Sequence, residues 1–498
     1  VPSKNYQKLI DRVKEIQIAA SLEGLLDWDQ ETYMPPRATA TRAAQSAFAA
    51  GVGHERLIDK KFGRLLEKVE QEADPDAIVA TNVREVRRVY DRKVKLPTKL
   101  VQAIASATAL AKEAWVKARA DANFPQFAPH LEKLLDLKRQ VAEKVGYQTE
   151  PFDALLDEFE PGARAADVQR VFDAVKAELV PLVQAIQIAP RQPNTSLLER
   201  DCPRPKQEAF GRWVAREMGY DFQAGRLDVS AHPFCTSLSP FDVRITTRYD
   251  EHYLPMSLFG IMHEAGHALY EQGLEPAHAF TPAGQSVSLG VHESQSRLWE
   301  NFIGRSRPFW EHYLAPLKAE FPVLADVSLD DWYFAINTVR PSFIRVEADE
   351  VTYGLHIMLR FDLERRMIAG ELKVGDIPAA WNDGMQRLLA ITPPNDAEGC
   401  LQDIHWSLGT FGYFPTYALG NLYAAQFFAA AHQALPDLDA QLARGELRPL
   451  REWLREKIHR HGQRYRAAEL VQVVTGHPLS PAAFIQYLHG KYRPLYGV

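Results

Sequence analysis

The sequence predicts a mainly α protein built as one large domain with two lobes, and three observations lead there. Apolar residues recur at three- and four-residue spacing over long stretches. Helix-breaking clusters of Pro, Gly and Asn fall between those stretches rather than inside them. Only one segment alternates in the two-residue rhythm of a strand.

The helical segments, in order, are Tyr6 to Ala20, Phe62 to Glu72, Leu100 to Ala120, Phe127 to Val145, Ala165 to Ile186 and Leu450 to Thr475. Met34-Pro35-Pro36, Pro190 to Pro205 and Thr392-Pro393-Pro394-Asn395-Asp396 read as loops. The longest, Pro190 to Pro205, is the expected lobe boundary, between a Lys-, Arg- and Glu-rich helical region and a central region. No shift in composition divides the 498 residues into separately folding units, so a single domain over 1–498 is expected. The strand is Phe241 to Tyr249, where Val243, Ile245 and Thr247 alternate with Asp242, Arg244 and Thr246. As an edge strand it would offer its backbone to an extended peptide.

The bulk properties exclude several partners. A net charge of -6 gives no basic excess for nucleic acid or an anionic membrane. The most apolar stretch, Ala418 to Leu435, is interrupted by Asn421, Gln426 and His432 and reads as a core helix, so no membrane span is expected. The first residues carry no apolar run of the signal-peptide kind. Three widely spaced cysteines, Cys202, Cys235 and Cys400, fit a reduced compartment, and the cytoplasm is the expected location. None belongs to a C-x-x-C pair, so no thiolate metal site is offered.

His263-Glu264-Ala265-Gly266-His267 matches H-E-x-x-H. Four residues of α-helix span about 6 Å, so His263 and His267 project from one face and can grip one metal ion. Glu264, one residue on, can reach a water activated by that metal, as a general base must. The flanking Met256 to Met262 and Ala268-Leu269-Tyr270 are apolar. Two unpaired histidines buried in such a helix would be costly, which favours a metal over a solvated polar face.

A catalytic zinc takes three protein ligands and leaves a fourth position for water. Tyr270 and Gly273 stand where the three-histidine pattern needs Gly and His, which excludes that class. Among nearby carboxylates Glu293, on the helical-looking Val291 to Glu300, is the best third ligand if a helical hairpin returns it to the motif. Glu271, Glu275 and Glu300 compete, the first two less well because they lie in or just after the motif helix.

These motifs, together with His232-Pro233-Phe234, Asp242-Val243-Arg244-Ile245-Thr246, His292-Glu293-Ser294-Gln295, Ile344-Arg345-Val346-Glu347-Ala348-Asp349 and Gly399 to Trp406, resemble the carboxypeptidase Taq type of metallocarboxypeptidases. The likeness extends from Trp28 to Pro35 near the start to Phe484 to Tyr496 near the end. It implies a mostly helical domain with a small sheet beside a deep active-site groove, a homodimer, and Glu293 as third ligand. One divalent metal per chain is expected, zinc first and cobalt also accepted.

The expected reaction is removal of single residues from peptides with a free C-terminal carboxylate, with Glu264 moving the proton. Tyr417 and His405, in a Gly-containing loop, are candidate donors to the oxyanion, with Tyr413 as rival. Arg345 is the candidate for the terminal carboxylate, ahead of Arg340 and Arg244, because a guanidinium can hold it with two hydrogen bonds. Gln402 and His232 are candidate cleft residues. A zinc oligopeptidase or dipeptidase would share this chemistry, whereas an aminopeptidase would need a Gly-x-Met-Glu-Asn segment that is missing. A helical binding protein with a structural metal would have no use for Glu264.

Overall fold

The computed structural model describes residues 2–72 and 74–498. Its first four helices are α1 (Lys4–Thr32), α2 (Thr39–Ile58), α3 (Lys60–Gln71) and α4 (Ala77–Val94). Ser3 and Asp76 cap α1 and α4 with side-chain oxygens that accept first-turn N–H groups. This region has its own small core of Tyr6, Leu9, Ile10, Val13, Phe62, Leu66, Val79 and Val86.

A much larger core runs from Leu100 to Tyr496. It is built first by α5 (Thr98–Ala120), α6 (Phe124–Val145), α7 (Pro151–Leu156), α8 (Ala165–Gln187) and α9 (Arg204–Met218). The Pro190 to Pro205 stretch falls within the span of the large core and does not separate it from the small one. Leu197, Leu198 and Cys202 within it are buried in the large core, and the break in apolar packing falls between Val86 and Leu100. The rest of the stretch runs over the surface, with Pro190, Pro203 and Pro205 exposed.

Three strands follow, β1 (Gly225–Val229), β2 (Cys235–Ser239) and β3 (Asp242–Thr247), in the spatial order β1-β3-β2. β1 runs parallel to β3 and β2 antiparallel to it. The strand expected over Phe241 to Tyr249 is β3, but it is central rather than an edge. Val243, Ile245 and Thr247 are buried as the alternation requires, and Thr246 is buried as well, its hydroxyl accepting the Phe234 N–H.

The remaining helices are α10 (Leu254–Gly273), α11 (Leu289–Arg297), α12 (Arg307–Glu320), α13 (Leu329–Ile336), α14 (Tyr353–Ala369), α15 (Ile377–Leu389) and α16 (Pro415–Ala434). After them come α17 (Leu438–Ala443), α18 (Arg448–Lys457), α19 (Ala467–Thr475) and α20 (Ala482–Tyr496). The single helical period expected from Leu450 to Thr475 is broken into α18 and α19. Between them Gly462 adopts φ 51°, and a Cβ there would meet the Ala283 carbonyl at 1.9 Å. Ala418 to Leu435 is the buried α16, and no described helix is long and apolar enough to cross a membrane.

α10 and α11 form the hairpin that matters most. Gly266, inside the motif, lets them touch: a Cβ there would come within 2.7 Å of the Gln295 carbonyl and the Ser296 Cα. Past α11 the helix widens into a π-helical turn, Leu298–Ile303, that carries Glu300.

Candidate metal and substrate site

On α10, His263 and His267 turn the same face toward α11. Glu293 Oε2 lies 3.2 Å from His267 Nε2 and 3.7 Å from His263 Nε2. Three ligands about 2.0 to 2.2 Å from a tetrahedral centre stand about 3.3 to 3.6 Å apart, so this trio has the spacing of a metal site. It is the group among the described residues whose donor atoms converge in this way. Two nitrogens and a carboxylate oxygen suit zinc and do not exclude cobalt.

Each ligand has a partner behind it. Glu300 Oε2 lies 2.8 Å from His263 Nδ1, so this competitor for the third ligand position stands on the far side of the ring. Arg297, one turn after Glu293, donates its Nε–H to Glu293 Oε1 at 2.6 Å. Glu271 also faces away from the trio, with its Oε1 2.9 Å from His292 Nε2.

The electrostatics follow from burial among many carboxylates. Burial alone would lower His263, but Glu293, Glu300 and Glu264 raise it to about 9. Burial, helped by His292, takes His267 down to about 3. Burial opposes ionisation of Glu293, yet Arg297 and the two imidazoles hold it well below the ordinary carboxylate range. Burial lifts Glu264 to about 7, within reach of both protonation states near neutrality.

A second polar cluster lies beside the first. Arg345 is buried, and its Nε and Nη2 both donate to Asp403 Oδ1, at 3.1 and 2.8 Å. The fully buried Arg360 on α14 donates its Nε–H to Asp403 Oδ2 at 2.7 Å. Two guanidiniums thus share one carboxylate. Tyr353 joins the clusters: its hydroxyl accepts from Arg345 Nη1 at 3.0 Å, and the Arg297 guanidinium lies over its ring at 4.3 Å.

The other expected site residues divide. Tyr417, half-buried on α16, lies under the Arg345 guanidinium at 5.1 Å, and Tyr413 is 5.3 Å from it, ring to ring. Burial, with a smaller contribution from the charge of Glu293, raises both phenols above the ordinary range. His405 packs 4.4 Å from Phe414. Its buried Nδ1 has no hydrogen-bond partner among the described residues, and burial lowers the ring to about 4.

Gln402 is not free to meet a ligand. Its Oε1 accepts from the Arg345 and Arg360 N–H groups, and its Nε2 donates to the Phe343, Glu398 and Gly399 carbonyls. His232 is exposed in the turn before β2. Arg244 is committed elsewhere, paired with Asp242 and stacked 4.2 Å over Trp28. Arg340 is exposed on a groove of about 570 Å³ that Tyr253, Arg305, Phe343 and Glu347 also line.

Sequence reasoning missed Tyr353, Arg360 and Asp403, and gave no role to His292. The i, i+7 spacing of Glu293 and Glu300 was the one available hint that both face α10.

Comparison with known proteins agrees with this arrangement. Residues 8–492 match the family model described as carboxypeptidase Taq (M32) metallopeptidase. The chain belongs to that family. It is 44% identical to thermostable carboxypeptidase 1 of Thermus thermophilus, with both chains covered completely, and 39% identical to carboxypeptidase 1 of Bacillus subtilis over 99% of each. Among solved structures, the M32 carboxypeptidase from Deinococcus radiodurans R1 superposes over the whole of both chains with a TM-score of 0.97 at 42% identity. The protein is therefore a metal-dependent carboxypeptidase, a hydrolase of peptide substrates, with the mainly helical fold of its family.

Proposed function

We propose that the chain removes single residues from the C-terminus of peptides, with zinc held by His263, His267 and Glu293 and with Glu264 as general base. The observation that carries this reading is the adjacency of two buried clusters of opposite need. One presents two imidazoles and a carboxylate to a cation, and the other has two guanidiniums on one carboxylate and can accept an anion. A peptide's last residue offers both a carbonyl to polarise and a carboxylate to bind.

Zinc, or cobalt in the same donor set, would supply Lewis acidity toward the scissile carbonyl and the attacking water. Glu264 takes the proton of that water and passes it to the leaving amine, a task suited to a carboxyl lifted to about 7. Tyr417 and His405 serve as donors to the developing oxyanion: the raised phenol stays protonated, and the lowered imidazole stays neutral with one N–H to give. Arg345 meets the terminal carboxylate, with Gln402 acting through it by holding its backbone N–H.

The substrate backbone has a place to lie. In an antiparallel ladder, hydrogen-bonded and non-bonded residue pairs alternate. The Thr246 N–H donates to the Phe234 carbonyl, so Cys235 and Ser237 turn their N–H and C=O away from β3, toward the open side of β2. β2 therefore takes the substrate-holding role first expected of β3, with His232 at its rim. A homodimer and a cytoplasmic setting belong to this reading through the family resemblance and the three unpaired cysteines.

The test is digestion of N-acetylated peptides with and without a chelator, with activity restored by zinc or cobalt and products read by mass. Single-residue ladders from the C-terminus are expected; internal fragments or dipeptides would overturn the exopeptidase assignment. Arg345→Ala should cost free-carboxylate peptides far more in kcat/KM than C-amidated ones, and equal losses would remove Arg345 from the terminus.

A further inference from the structure

The two metal-facing histidines are supported in different ways. His263 has the Glu300 carboxylate directly on its outer nitrogen. His267 has another imidazole: His292 Nδ1 lies 2.6 Å from His267 Nδ1, with the rings stacked at 4.5 Å and 25°. His292 Nε2 in turn lies 2.9 Å from Glu271 Oε1.

We propose that His292 and Glu271 form a two-step relay that orients His267 for the metal, a positioning role resting on the assignment of His267 as ligand. The direction of each hydrogen bond follows from geometry. His267 turns Nε2 toward Glu293, so its Nδ1 carries the hydrogen and donates to His292 Nδ1. His292 must then carry its own hydrogen on Nε2, where the Glu271 carboxylate accepts it. Each step requires the next, and reversing either would leave two lone pairs or two hydrogens face to face.

The relay spans two helices. Glu271 lies one turn after His267 on α10 and points along the same face, while His292 enters from α11 and bridges them. The Ser237 side chain on β2 lies close to Glu271 and, after His292, helps to hold its carboxyl below the ordinary range against burial. The chain of contacts thus ties α10, α11 and the open strand together at the metal-facing ring. Tyr270 packs against His292 with the ring centres 5.4 Å apart and the planes tilted by 33°.

Metal affinity of the apoprotein, measured by competition with a chelator of known affinity, tests this without any substrate. His292→Phe keeps the ring's bulk and removes both hydrogen bonds, and should weaken zinc binding about 10- to 100-fold. His292→Asn, whose amide oxygen can take the place of Nδ1, should recover most of that loss. At the far end, Glu271→Leu should weaken binding and Glu271→Gln, which still accepts, should not. The visible absorption of the cobalt form should change in the weakened variants and stay unchanged in the conservative ones.

Wild-type affinity in both His292→Phe and Glu271→Leu would overturn the relay. Equal losses in His292→Phe and His292→Asn would also overturn it, by reducing His292 to packing. His267→Ala separates the two proposals: if it leaves affinity intact, the ligand assignment itself fails, whereas loss there with none in His292→Phe sinks only the relay. Should His292→Phe not fold, the Glu271 pair decides alone.

Discussion

The metal cluster and the arginine cluster lie on either side of Tyr353 and solve opposite problems. Around His263 and His267 stand Glu264, Glu271, Glu293 and Glu300, countered by Arg297 and Arg305. In the second cluster Arg345 and Arg360 press on a single Asp403. On the proposed reading the first would be completed by a cation and the second by an anion. Buried charge of one sign is costly unless a partner arrives, so each cluster holds its ligand's place at the expense of stability in the unliganded protein. Loss of Glu264 in the first cluster should be felt as lost turnover, and loss of Asp403, which no ligand replaces, as lost stability in the second.

Glu264→Gln tests the metal side most directly, with a large loss of activity expected at full metal occupancy. Gln keeps the shape of the side chain but cannot take a proton, so kcat should fall about 10²- to 10⁴-fold while bound metal stays at one per chain by elemental analysis. Retained turnover would sink the general-base assignment. Glu293→Ala should differ by losing metal as well, since the carboxylate that completes the trio is then absent.

On the other side, Asp403→Asn leaves two guanidiniums without their common carboxylate. The side chains of Arg345, Arg360 and Asp403 are only 7%, 0% and 12% exposed, so water can do little to replace it. Removing one member of such a buried set costs about 3 to 5 kcal/mol. Denaturant unfolding of the metal-free protein measures it, and a cost near zero would mean that the cluster is wetter and looser than its geometry shows.

The two clusters also differed in how far the sequence revealed them. His263, Glu264 and His267 occupy five consecutive residues of one helix, where a 3.6-residue period alone fixes which side chains converge. Glu293 needed one more inference, a hairpin, and Gly266 in the motif itself is what lets α10 and α11 close it. The arginine cluster joins residues 345, 353, 360 and 403 from a loop, a helix and a second loop. Nothing local marks Arg360, which sits in α14 among apolar residues, as the partner of an Asp 43 positions away.

Elsewhere the same limit applies. β1 and β2 are five residues each, and β2, Cys-Thr-Ser-Leu-Ser, is half-buried throughout and shows no alternation to read. α18 and α19 looked continuous because both turn apolar faces, Leu450 and Leu454 then Leu470 and Val471, to the same core. The break at Gly462 comes from a tertiary contact with Ala283, which a periodicity cannot anticipate.

A weaker effect, that of pH, bears on the arginine cluster through His405. His405 is largely shielded near Arg345 and Arg360; burial is the main cause, opposed by Asp403 and reinforced by those two charges, in lowering the ring from 6.5 to about 4. The folded protein therefore leaves the ring neutral where the unfolded chain protonates it. Between about pH 6.5 and pH 4 the unfolded state binds more protons, so stability rises with pH across that window and falls as acid is added. The span corresponds to at most about 3 kcal/mol, reduced by whatever solvent reaches the ring. In the metal-free protein, His405→Gln should lose less stability than the wild type between pH 7 and pH 5, read from denaturant midpoints at the two values. Parallel loss in both would mean that His405 is already solvated when folded, and the surplus charge beside it would then be screened as well, which removes much of the case for an anion site at Arg345.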